Sequence, residues 1–457
     1  MSRRGRKRGN GRGPPRGRAF FKDKETNIAK IAFIGAGSSK FVREVVVDLF
    51  SFPELRGSHI ALMDIDGERL GRSEKIVRKI ISDLKISARV EATTDQRRAL
   101  AGANYVFITI MVGGFKHYRS DIAIPEKYGV TQAVSDTNGP GGVFRTVRTS
   151  PVLRKIAADL KELSPHAWLL NYANPMSMNC WTLSLCGHDR AVGLCHSIQG
   201  MYREIGRWLN VPADEMTYTA AGINHVNFYL TLQHGSENLY PRLAAEAPRL
   251  IKEHPVERVR FELLEYLGYF PAEGPYHQSE YYPWFRKNQA AVEHYAVETY
   301  WGYNFDLQYA QQKTAEIEKK IADAAPIRYD RSLEYGARII HALESGEAES
   351  FYGNVPNRGL IENLPAEAIV EVPCVADRNG IFPCRMGRIP PQLAAVMSPH
   401  IHLHELAVNG VMRKDRRMIH QAVQADPLTG AILTLPKIRE MVDELFGENT
   451  DSTRDWR

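Results

Sequence analysis

The sequence predicts an α/β protein: a doubly wound parallel sheet of Rossmann type, followed by a second α+β domain. Three observations carry this prediction. Apolar runs at 31–34, 60–63, 105–110, 168–170 and 191–194 alternate with helix-like segments through the first half. The first run empties into Gly35-Ala36-Gly37 and then a helical pattern at 39–50, and the second run ends at Asp64. Beyond about residue 200 the alternation gives way to short β-like pieces mixed with charged helices.

The order strand, glycine turn, helix suits a dinucleotide. Gly35 and Gly37 let the backbone approach a pyrophosphate, the next helix points its N-terminus at the negative charge, and Asp64 is placed for ribose hydroxyls. Two features depart from the usual fingerprint. Lys40 stands where the third glycine belongs, and Asp64 follows Gly35 by 29 residues rather than about 20. Taken alone, the turn also fits an ordinary strand-to-helix connection.

Composition narrows the class. At 457 residues, with 44% hydrophobic and 25% charged residues, the chain has the makings of two or three globular domains. No apolar stretch approaches the roughly 20 residues of a membrane span. Five cysteines, at 180, 186, 195, 374 and 384, are sparse and lack metal-ribbon spacing, which predicts free thiols in a reducing cytoplasm. The net charge of +6 comes from a tail: residues 1–22 hold nine Lys or Arg and no acid, leaving the rest at −3. Such a Gly/Arg/Pro-rich tail buries too little apolar surface to fold, and nucleic-acid binding through it is a secondary reading. The twin arginines at 3 and 4 precede no hydrophobic segment, which argues against export. The expected organisation is a disordered basic tail over 1–22, a dinucleotide-binding domain over 23–200 and an α+β domain over 201–457 that carries substrate, metal and oligomer contacts.

Along the chain, helices are expected at 39–50, 67–86 and 146–163, between the five strands. Each strand ends in something polar or glycine-rich: Gly35-Ala36-Gly37, Asp64, Gly113-Gly114, Asn171 to Pro175, and Cys195-His196-Ser197. In a doubly wound sheet these ends converge on one crevice. Further on, strands are expected at 217–220 and 226–232 and a long helix at 292–327, in a domain that closes over the crevice. Extended segments follow at 365–391, then helices at 403–414 and 426–446. There is no internal repeat.

Several residues have the chemistry of a site. Cys195 and His225 offer a thiolate and an imidazole, a plausible pair for a divalent transition metal, although a buried thiol and a satisfied core histidine would read the same way. Asn174 could hold sugar hydroxyls or a metal, or cap a turn before Pro175. The loop from Asp136 to Gly142, with Arg145 beyond it, could hold an anion or supply an acid, or serve as a capped turn. The segment 273–285 crowds tyrosines, two acids and His277. A tyrosine there, beside a cation, can have its pKa lowered enough to act as a base.

Taken together, Ile34 to Ser38, Leu62 to Asp66, Val112 to Phe115, Gly139 to Gly142, Asn174-Pro175-Met176, Gly193 to Ser197, Gly222 to His225 and Glu280-Tyr281 occur in an order that resembles family 4 glycoside hydrolases. Asn363-Leu364-Pro365, Val370 to Cys374 and Pro391 to Ala394 extend the resemblance, which spans about 28–446. It lies nearest the α-galactosidase-like branch. It implies a lactate/malate dehydrogenase-like fold, NAD and Mn²⁺ as cofactors, a small-molecule glycoside as substrate, and a homodimer or homotetramer assembled through the second domain. It further implies Gly35, Gly37, Ser38 and Asp64 at NAD, Cys195 and His225 at the metal, Tyr281 as base, and Asn174 near cofactor and sugar hydroxyls. Asp136 and His196 are the candidate proton donors to the leaving group, with His196 alternatively bracing the metal site. Arg145 and His277 are further candidates for sugar contacts. The implied chemistry borrows a hydride from carbon 3 of the sugar, removes the carbon-2 proton, eliminates the aglycone, adds water and returns the hydride, unlike the two-carboxylate route.

One segment departs from the branch. Where it carries Thr-Glu-Ser-Ser-Glu-His, this chain has Ala272-Glu273-Gly274-Pro275-Tyr276-His277. Two serine hydroxyls and a carboxylate are missing where sugar contacts are expected, so glucosides, uronides or another acidic sugar stay open beside galactosides. A 2-hydroxyacid dehydrogenase on the same fold is the remaining alternative. It would need neither a Cys195/His225 pair nor a base at Tyr281.

Overall fold

A computed structural model describes residues 28–327 and 331–456; the basic tail assigned to 1–22 lies outside the described residues. Six strands open the chain: β1 (Lys30–Ile34), β2 (His59–Met63), β3 (Arg89–Thr93), β4 (Tyr105–Ile108), β5 (Trp168–Asn171) and β6 (Ala191–Gly193). They pair in parallel in the order 3-2-1-4-5-6, the doubly wound order expected. Their near-continuous apolar sequences follow from burial on both faces. In β1, Ile31 and Phe33 pack with Val42, Val46 and Ile76 of the helices Ser39–Phe50 and Gly67–Leu84. Ala32 and Ile34 face Leu153, Ile156 and Leu160 of the helix Gly139–Leu163 on the other side.

The second half is antiparallel: β7 (Met216–Ile223), β8 (Val226–His234), β9 (Glu237–Asn238), β10 (Glu349–Pro356), β11 (Ile369–Asp377) and β12 (Gly380–Pro383). These strands do not form a sheet of their own. They extend the first one, in the order β6-β10-β11-β7-β8-β9 with β12 beside β11. The α+β half is therefore spliced onto the Rossmann sheet.

Some elements differ from expectation for identifiable reasons. Strand β3 was not expected, because Arg89-Val90-Glu91-Ala92-Thr93 is short and half charged, as suits an edge. Nor was β10, whose Gly353, Asn354 and Pro356 read as turn residues. The helix expected at 146–163 begins at Gly139, through Pro140 in its first turn and a glycine run. The glycines are required by contact: a Cβ on Gly141 would sit 1.8 Å from Ser135 Oγ. The single helix expected at 292–327 is two, Gln289–His294 and Trp301–Ala322, because Ala296 and Tyr300 between them take left-handed backbone at φ +53° and +63°. The helix expected at 403–414 starts at Pro391 and carries Pro399 inside it. The segment 426–446 forms two helices, Pro427–Ile432 and Leu435–Glu448. Among the described residues, no helix is long and apolar enough to cross a membrane.

Candidate active site

The glycine turn is built as a backbone cradle. Gly35 takes φ +93°, and a Cβ there would lie 2.7 Å from the Thr109 carbonyl, so only glycine fits. Asp64, at the end of β2, accepts the Gly37 N–H at 2.7 Å and the Asp66 N–H at 2.9 Å. Each oxygen keeps a second lone pair for a ribose hydroxyl. Ser38 precedes the helix Ser39–Phe50 without capping it through its side chain, which leaves its hydroxyl available. These features fit a bound dinucleotide: a helix N-terminus behind the turn, no side chains on Gly35 and Gly37, and a carboxylate one strand over.

The metal candidates meet at the splice. Cys195 stands two residues beyond β6, and His225 occupies the two-residue turn joining β7 to β8, at φ +65°. Left-handed backbone is uncommon for a residue other than glycine, and such conformations concentrate at functional sites. Cys195 Sγ lies 3.8 Å from His225 Nε2, and Glu273 Oε2 lies 3.2 Å from the same nitrogen. Donor atoms of Cys195, His225 and Glu273 all fall within 4.8 Å of one another. Thiol, imidazole and carboxylate together suit a divalent transition metal with positions left for substrate. Glu273 was missed as a donor from sequence, although it is the one carboxylate kept in the altered segment 272–277. The donors come from both halves of the chain, so the metal candidates do not belong to the second half alone.

Burial sets the protonation of these groups. It pushes the Cys195 thiol well up, and the carboxylates of Glu371 and Glu273 add to the effect. Burial pushes the His225 imidazole down to about 4, leaving it neutral and ready as a ligand.

Asp136 sits opposite. Its Oδ2 accepts from the Asn174 amide at 2.7 Å, while its Oδ1 is buried without a partner. Burial pushes this carboxyl up, but His277, Arg145, His225 and the Asn174 amide outweigh it and hold the group below the ordinary range. His277 Nδ1 lies 3.9 Å from Asp136 Oδ1 and is also unpaired. Arg145 is buried, rests over the Tyr118 ring and leaves Nη1 without a partner. Buried polar atoms without partners are rare in folded proteins, and these mark a space meant for a polar ligand.

Tyr281 donates to Thr137 Oγ1 at 2.6 Å, and its ring lies edge-on to His225 at 6.4 Å between centroids. Burial pushes its phenol well above the ordinary value, and Asp136, Glu280 and Glu273 push it further. A basic role therefore requires a cation at the neighbouring donors, as the sequence reading supposed. Neighbouring Glu280 holds the Asp136 loop in place, accepting from Gln132 Nε2 at 3.1 Å, Val134 N at 3.1 Å and Ser135 N at 3.0 Å. His196 lies apart from this group: its side chain is 72% exposed and faces Glu334 at 3.6 Å.

Fold and donor set together define a Rossmann-type protein with a candidate metal site at the carboxyl edge of its strands. Residues 30–211 match the family 4 glycosyl hydrolase, and residues 220–429 match the family 4 glycosyl hydrolase C-terminal domain. The chain belongs to this family. It is 36% identical over 436 residues to an α-galactosidase of Bacillus subtilis, covering 93% of this chain and 99% of that one. It is 35% identical to an α-galactosidase of Rhizobium meliloti, covering 91% and 87% respectively. A crystal structure of a 6-phospho-α-glucosidase from gut microorganisms, in complex with NAD and Mn²⁺, shares the fold with a TM-score of 0.80 at 19% identity, covering 94% of this chain and all of that one.

Proposed function

We propose that the protein hydrolyses α-galactosides with NAD⁺ and Mn²⁺ as resident cofactors. The observation that carries this reading is the grouping of Cys195, His225 and Glu273 beside Asp136, Asn174 and Tyr281. The α-galactosidase relatives and the NAD- and Mn²⁺-bound structure of the same fold support it.

When bound, the nicotinamide supplies a reversible hydride acceptor and the metal a Lewis acid that acidifies the hydrogen next to a ketone. Gly35, Gly37 and Ser38 hold the cofactor phosphates, and Asp64 holds a ribose. Cys195 and His225 hold the metal, with Glu273 as third donor. Asn174, Arg145 and His277 orient the sugar hydroxyls. Tyr281 takes the proton from carbon 2, and Asp136 serves the leaving oxygen. A neutral sugar fits better than a uronide, because Asp136 faces Arg145 while the metal's charge is met by Cys195 and Glu273. Asp306 adds to this negative field; burial, then Asp136, pushes its carboxyl up to about 6. Assembly as a homodimer or homotetramer through residues 201–457, and action in the cytoplasm, complete the reading.

A panel of aryl α- and β-glycosides, assayed with and without NAD⁺, Mn²⁺ and a thiol reductant, tests it. Cleavage of the α-galactoside should require both cofactors. Hydrolysis that survives removal of nucleotide and metal would refute the reading, and net NADH production would favour a dehydrogenase.

A further inference from the structure

Among the described residues, the β10–β11 ribbon joins the strands on either side of it at one register pair each, and polar side chains mark both. β10 joins β6 through the single register pair Asn354↔Gly193, and β11 joins β7 through the single pair Glu371↔Gly222. Gly193 lies two residues before Cys195, and Gly222 three residues before His225. The two metal candidates therefore hang from strands that do not pair with each other. Their separation is set by the β10–β11 ribbon wedged between them.

Glu371 ties this wedge together. It is fully buried, and its Oε1 accepts from Asn354 Nδ2 at 3.0 Å. The same Asn354 nitrogen reaches the Gly193 carbonyl at 3.4 Å. On the other side, Oε2 accepts from Asn227 Nδ2 at 3.4 Å, and that nitrogen also donates to the Glu371 carbonyl at 3.1 Å. Asn227 is two residues past His225 on β8. A single carboxylate thus links Gly193, through Asn354, to Asn227, so the chain segments carrying the thiol and the imidazole are bridged side chain to side chain. Burying an acid with so little compensation is costly unless its hydrogen bonds do something specific.

We propose that Glu371 is a positioning residue for the metal centre: with Asn354 and Asn227 it fixes the distance between Cys195 and His225. The proposal rests on the reading of Cys195 and His225 as metal ligands. A carboxyl group suits the task because each of its two oxygens accepts from an asparagine amide, and those amides, with Asn224, oppose the burial that pushes it up to about 8. A glutamine offers one oxygen and one amide nitrogen, and that nitrogen would face a second donor on one side.

The test is Mn²⁺ affinity of the full chain without substrate, read from loss of the free-ion paramagnetic resonance signal, for Glu371→Gln and Cys195→Ser, with NADH affinity of the same variants read by fluorescence titration. Glu371→Gln should weaken Mn²⁺ binding by about 10- to 100-fold, the usual cost of losing an orienting partner behind a ligand. NADH affinity should stay at its wild-type value, which general destabilisation would not leave; a parallel loss of NADH affinity in Glu371→Gln would overturn a role confined to the metal centre. Wild-type Mn²⁺ affinity in Glu371→Gln, with affinity lost in Cys195→Ser, would overturn the positioning role alone. Unchanged affinity in Cys195→Ser would instead overturn the ligand reading beneath it. Should Glu371→Gln not fold, Asn227→Ser carries the same prediction, and wild-type affinity there would likewise overturn the role.

Discussion

Cys195 Sγ lies 3.8 Å from His225 Nε2 although thirty residues separate them in the chain. Their protonation states differ in a way that sets the pH dependence of metal binding. Burial keeps the thiol protonated through the neutral range, whereas the imidazole, pushed down to about 4, is already neutral there. If Cys195 and His225 are the ligands proposed above, capture of Mn²⁺ expels one proton, from Cys195 and not from His225, because a metal binds thiolate. The Mn²⁺ dissociation constant should therefore fall about tenfold per pH unit as pH rises between about 6 and 8. Titration calorimetry in buffers of different ionisation enthalpy measures both affinity and proton count; an affinity independent of pH would refute this.

Gly35→Ala tests the cradle. A Cβ at 2.7 Å from the Thr109 carbonyl, on backbone at φ +93°, forces the turn to shift. The variant should lose about 1–3 kcal/mol of stability and bind NAD⁺ more weakly than its stability loss explains. Denaturant unfolding and fluorescence titration with NADH provide the two readings.

Glu280 gives a stability test with a definite sign. Burial, with a smaller push from Asp136, raises its carboxyl to about 8 against the opposing Arg286 and the Ser135 and Val134 amides. The folded state then holds a proton that the unfolded chain releases near about 4.3. The resulting stabilisation is full at low pH and is lost as pH rises from about 4.3 toward 8. Glu280→Gln should flatten the pH dependence of unfolding across that window. An unchanged slope, measured by denaturant titration at several pH values, would show that Glu280 is ionised in the fold.

Asp136 is held below the ordinary carboxylate range by His277, Arg145 and His225 after burial is overcome. In the free protein it is an anion, so it must gain its proton on substrate binding if it serves the leaving oxygen. Asp136→Asn should slow cleavage of phenyl α-galactoside by about 10²- to 10⁴-fold while sparing the nitrophenyl substrate, whose leaving group needs little protonation. Equal losses on both would assign Asp136 to substrate or metal positioning.

The Rossmann half was legible because its signals are local. Ile31 to Ile34 is apolar on both faces, and Gly35-Ala36-Gly37 follows at once. Cys195, His225 and Tyr281 were legible through the motifs around them. Glu273 was not, because its membership in the site depends on the approach of segment 273–281 to the β7–β8 turn, a long-range contact. The splice was hidden for the same reason: Asn354 and Glu371 carry no pattern, and their role exists only where β10 and β11 meet β6 and β7. The break between helices Gln289–His294 and Trp301–Ala322 was invisible because Ala296 and Tyr300 are not residues that announce left-handed backbone.

The central claim is that a hydride is borrowed and returned while Tyr281 exchanges the carbon-2 proton. It is tested most directly by cleaving an aryl α-galactoside in D₂O with NAD⁺ and Mn²⁺ and examining the released sugar by NMR. The account predicts deuterium at carbon 2, none at carbon 3, and no accumulation of NADH. Galactose released at full rate without deuterium at carbon 2 would contradict it.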